Sequence, residues 1–172
     1  GFAFIAISGA RWFSRTPAAL TTPDRTLLRY DVRASASFDD ASRADLTRET
    51  KQALVFAAVA SALVKTSSRA DLGGDEGVDD RAIPADPQLA RLVRFQSAMT
   101  AAVGAALEGT GYGYDGVDPA RLEPVFSERA GKLTLFDDLP RGARHAVAFA
   151  ALPLRTLTAA YPDRDPRSAE GL

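Results

Sequence analysis

A chain of 172 residues, 46% hydrophobic and 25% charged, can bury one core, or a core with an appended helical lobe. Lys plus Arg number 21 against 22 Asp plus Glu, a net charge of -1, which excludes a global basic field for nucleic acid or an anionic membrane. The absence of cysteine excludes disulfides and thiolate zinc sites within the chain and is compatible with a reducing, cytoplasmic location.

In chain order, "GFAFIAISGARWF" comes first. It lacks the basic stretch and small-residue cleavage site of a signal peptide. Phe2, Phe4, Ile5 and Ile7 are bulky and β-prone, so residues 2–7 read as a buried strand ending at Ser8-Gly9. A Pro- and Thr-containing connector, Ser14 to Asp24, leads to "TLLRYDVRASASF", where Leu28, Tyr30, Val32, Ala34 and Ala36 alternate as in a half-exposed strand. Ser42 or Asp45 is placed to cap a long helix running to about Lys65. Its apolar stretch, Ala53 to Val64 with Ser61 the interruption, is short of the roughly 20 residues that span a bilayer.

Residues 66–85, "TSSRADLGGDEGVDDRAIPA", are polar, acidic and Gly-containing and read as a loop. Asp86 then stands as N-cap with Pro87 at the first helical position, and Leu89, Leu92, Val93, Met99, Val103 and Leu107 recur at helical spacing until Gly109. "GTGYGYDGVDP" reads as a turn-rich connector, and "LEPVFSERAGKLTLFDDL" as two short strands turning around Arg129-Ala130-Gly131. A strand-to-helix corner with Pro140 in the first helical turn opens a helix to about Ala160, and "YPDRDPRSAEGL" follows as a charged loop. A chain that opens on a core strand and closes on Glu170-Gly171-Leu172 reads as an internal piece of a longer protein.

Side chains with obvious chemistry are few. His145 is the single histidine and has no second histidine with which to share a metal. The acidic pairs Asp39-Asp40, Asp79-Asp80 and Asp137-Asp138 lack the spacing of a calcium loop and read as solvated turns and helix caps. The glycines of "ALEGTGYGYDG" lack the Lys-Ser/Thr ending of a P-loop, and "AGKL" at 130–133 has Leu133 where a magnesium-binding hydroxyl would stand.

The stretch "LTLFDDLPRGARHAVAFAALPLRTL" carries more. A strand that ends in Leu-x-x-Gly-x-Arg and opens into a long apolar helix resembles the signature region of ABC-type P-loop ATPases, in particular the SMC-like and RecF-like members. There the pattern approximates Leu-Ser-x-Gly-x-Arg, followed after one helix by the Walker B strand. Leu139 takes the Leu position, Pro140 the Ser, Arg141 the variable residue, Gly142 the Gly and Arg144 the Arg, and "EGL" stands where the Walker B strand would start. The upstream "FIAISGARW" is similar to a core strand of these ATPases ending in Gly-Ala-Arg. Pro140 supplies neither the hydroxyl nor an N–H of the family's Ser, and Ala143 replaces a more usual polar residue.

The resemblance implies an α/β fold, a P-loop NTPase-like partial sheet with an inserted helical lobe. Residues 1–38 would be core strands, 39–109 the helical insertion, and 110–172 the hairpin, the signature-like helix and the approach to Walker B. It implies ATP and Mg²⁺ bound between two heads, with Arg141, Gly142 and Arg144 contacting the nucleotide of the opposite subunit and His145 beside them. The implied partners are the remainder of the parent ATPase and a second copy through the nucleotide, with roles in DNA maintenance or defence. The charge balance gives no support for direct nucleic-acid binding, and no membrane partner is expected. With neither a phosphate-cradling loop nor Walker B carboxylates between residues 1 and 172, the isolated chain is expected not to hydrolyse ATP. The alternative is a non-enzymatic α/β or helical interaction domain in which helices 43–65 and 87–108 form a hairpin presenting a partner-binding face.

Overall fold

The computed structural model describes residues 46–71 and 86–160. The expected strands at 2–7 and 26–38, the caps Ser42 and Asp45, the pairs Asp39-Asp40 and Asp79-Asp80, and residues 161–172 lie outside the described residues.

Helix α1 spans Leu46–Asp71, so it runs six residues past the expected end at Lys65 into the polar stretch. Thr66 Oγ1 bonds back to the carbonyl of Ala62 at 2.9 Å, one turn earlier, so its hydroxyl is satisfied within the helix rather than in a turn. Helix α2 spans Pro87–Leu107. Its ends follow the local chemistry: the Asp86 carbonyl accepts the first helical bond, from Ala90 N–H at 2.8 Å, and Gly109 takes φ +79° where the chain must leave the helix. The buried stripe of α2 is Phe95, Met99, Val103 and Leu107, whereas Leu89, Leu92 and Val93, which recur at the same helical spacing, are half-buried.

Three antiparallel strands follow in the order β1-β2-β3: Tyr112–Asp118, Glu123–Glu128 and Leu133–Leu135. β1 corrects the expectation of a connector. Its glycines break the apolar alternation that marks a strand, and pairing with β2, Tyr114 opposite Phe126, supplies what propensity does not. Between Tyr114 and Gly116 the register shifts by a bulge, with Gly116 at φ +108°. The β2–β3 turn is the expected one: Gly131 at φ +79° donates to the Glu128 carbonyl at 2.8 Å.

A short 3-10 turn, Phe136–Asp138, separates β3 from helix α3, Arg141–Ala160. The architecture of the described residues is therefore mixed α/β: three helices and a small antiparallel sheet. One core joins them. Ala53, Leu54 and Ala57 of α1 and the α2 stripe meet Phe126, Phe136 and Leu139, together with Ala143, Val147 and Ala151 of α3. Phe126 sits between Tyr114 and Phe136, with ring centroids 5.4 and 6.2 Å away, and burial pushes the Tyr114 phenol above its ordinary range.

Candidate functional site

The corner from Phe136 to Arg144 is built by alternating anchors. Phe136 and Leu139 are buried in the shared core, while Asp138 and Pro140 face outward. Leu139 is held extended at φ -63°, ψ 145°, as expected before a proline, because the Pro ring excludes the helical region for the residue ahead of it. Pro140 then serves as N-cap rather than first helical residue: its carbonyl accepts from Arg144 N–H at 3.0 Å, and the helix proper starts at Arg141. The N–H groups of Arg141, Gly142 and Ala143 have no intrahelical acceptor, as at any helix start, and Pro140 has no side-chain oxygen to offer them. The positive end of a 20-residue helix stands behind them.

The four expected site residues share the first turns of α3 and then diverge. Arg141 and Gly142 are exposed, whereas Ala143 points into the core. Arg144 is half-buried with its Nε enclosed, on the flank that continues through buried Ala148, Ala151 and Arg155. His145 is also half-buried, its ring 6.5 Å from that of Phe149 at a tilt of 50°. The outward-facing pair at the helix tip is therefore Arg141 and Gly142, while Arg144 and His145 lie farther along the helix with part of each side chain enclosed.

Gly142 is informative because the chain itself does not require it. A Cβ there would have no atom within 4 Å, and the backbone stays outside the left-handed region. A helical glycine costs roughly 0.5–1 kcal/mol relative to alanine. Gly104 of α2 has a similarly open Cβ position but stands within the helix, away from a corner.

Behind the corner lies an ionic cluster that sequence reasoning missed. Lys51 Nζ of α1 donates to Asp137 Oδ2 at 2.7 Å and pairs with Glu123 Oε2 at 2.9 Å. The side chains of Lys51, Glu123 and Asp137 are 2%, 15% and 19% exposed. Asp137 thus acts in an ion pair rather than as a solvated turn residue. A second bridge, Arg155 to Glu49, joins α3 to the start of α1. No sequence signal marks either arrangement, since Lys51 is 72 residues from Glu123 and 86 from Asp137 along the chain.

The glycines after α2 line a shallow cleft of about 260 Å³ with Tyr112, Ser127 and Arg129. It lies at the negative end of α2 and carries Glu108 and Glu128, an arrangement that disfavours a phosphate. Among the described residues no group of three or more His, Cys, Asp or Glu is placed to hold a metal ion, and no helix is long and apolar enough to cross a membrane. No protein-family model, curated protein or solved structure matched the chain.

Proposed function

We propose that this chain is part of an ATP-binding head of the ABC type, SMC-like or RecF-like, in which the N-terminus of α3 contacts the γ-phosphate of a nucleotide carried by a second head. The observation that supports this reading is Gly142: a glycine that neither packing nor backbone demands, exposed at the start of a long helix whose tip is anchored by Leu139 and Ala143. Glycine there lets a ligand approach the backbone N–H groups, and a helix N-terminus suits an anion. Arg141, exposed beside it, adds a cation. Pro140 removes one hydroxyl contact from the family pattern but fits the N-cap position, so recognition rests on backbone groups and arginine.

In this reading ATP with Mg²⁺ is gripped by a phosphate-cradling loop and by carboxylates outside residues 1–172, and this chain contributes the trans contact. The P-loop NTPase-like sheet, the nucleotide-linked homodimer, and a role in DNA maintenance or defence belong to the same proposal. The reading requires Gly-x4-Gly-Lys-Ser/Thr upstream in the reading frame and an apolar strand ending in acidic residues downstream.

The test is ATP binding, by calorimetry, and dimerisation, by light scattering, of the full-length protein, with Gly142→Asp beside the wild type. A carboxylate at Gly142 repels the incoming phosphate. Dimerisation is expected to be lost while ATP binding to the monomer persists. If the wild type binds no nucleotide, the ATPase reading fails and the non-enzymatic interaction domain replaces it.

A further inference from the structure

Three elements meet at one ammonium. Lys51 comes from α1, Glu123 opens β2, and Asp137 lies in the 3-10 turn, four residues ahead of Arg141. Buried Phe136 and Leu139 flank Asp137 and set how deeply the corner sits. Apolar packing is non-directional, however, and does not by itself fix which way the turn faces. The 2.7 Å hydrogen bond from Lys51 is directional, and burial of the donor strengthens it. The other carboxylate oxygen of Asp137, Oδ1, is buried and bonds to nothing among the described residues, so the Lys51 bond is the polar tie of this side chain there.

We infer that Lys51 and Asp137 are positioning residues for the N-terminus of α3, coupling the orientation of the nucleotide-contacting corner to helix α1. This inference rests on the nucleotide reading above. Movement of α1 carries the Lys51 ammonium with it, and the ammonium carries the turn that precedes Arg141 and Gly142. Glu123 completes the device: its pairing seats Lys51 against the start of β2, the central strand, which serves as the reference for the turn.

The experiment uses the full-length protein with Asp137→Ala, which leaves the Lys51–Glu123 pair in place. Three quantities are read: ATP affinity of the monomer by calorimetry, ATP-driven dimerisation by light scattering, and Tm. The ATP concentration for half-dimerisation is expected to rise by roughly tenfold or more, with monomer affinity and Tm close to wild type. A second variant, Lys51→Met/Glu123→Gln/Asp137→Asn, removes these three charges together, and is expected to fold and show the same dimerisation defect. If the wild type does not dimerise with ATP, the nucleotide reading and this inference fall together. If the wild type dimerises and both folded variants match it, or if monomer affinity and Tm drop in step with dimerisation, the positioning role alone is overturned.

Discussion

The Lys51 ammonium lies in a nearly water-free place between two carboxylates, Glu123 and Asp137, of the described residues. Removing either carboxylate leaves Lys51 with the other one, but removing the cation takes the ammonium away from two partly buried carboxylates at once. Breaking a buried ion pair from one side typically costs about 3–5 kcal/mol, most of it the penalty of the stranded charge, whereas replacing all members by neutral groups is often close to neutral. Lys51→Met is therefore expected to lower unfolding stability by about 3–5 kcal/mol in urea titrations. The triple neutral variant is expected to recover most of that loss. Equal destabilisation by the single and triple variants would mean that packing of the lysine stem, rather than its charge, is what matters.

At the scale of elements, α3 carries a contradiction within its own sequence. Pro153 lies inside the helix, where it cannot donate to the Phe149 carbonyl and where its ring crowds that carbonyl. The helix persists because its inner face, Ala143, Val147 and Ala151, is locked into the core, and because Arg155 is bridged to Glu49 one half-turn beyond the proline. Thr156 and Thr158 hydroxyls bond to the carbonyls of Leu152 and Leu154 at 3.0 and 2.9 Å on either side of the ring. Pro153→Ala is expected to restore one backbone bond and raise stability by about 1–3 kcal/mol, read as an increase in Tm. An unchanged or lower Tm would show that the proline is needed to seat Arg155. The same scale explains what was legible in the sequence. The bounds of α2 and the Gly131 hairpin rest on local chemistry, a cap, a proline and a left-handed glycine, and local chemistry is written in consecutive residues. β1 depends on its partner β2, so its Gly-Tyr alternation read as a turn. The corner at 139–142 was legible as a helix start, with Pro140 one position off, but its ionic support joins residues far apart in the chain and left no local trace.

For the whole molecule the question is whether α1 and α2 form a lobe of their own or one cooperative body with the sheet and α3. Leu54 of α1 is fully buried in the same cluster as Phe126 of β2 and Val147 of α3, and the Lys51 and Arg155 bridges cross the same boundary. A unit that buries its apolar face against another cannot open without exposing both, so protection should be shared across the boundary. Leu54→Ala removes core volume from α1 and is expected to cost about 2–5 kcal/mol. In native-state hydrogen exchange that loss should appear undiminished in the slowest amides of β2 and α3, far from the substitution in sequence. If the α1 amides lose protection while those of β2 and α3 keep theirs, α1 opens separately. Movements of α1 could then occur without unfolding the corner, and coupling between them would have to run through Lys51 rather than through the core.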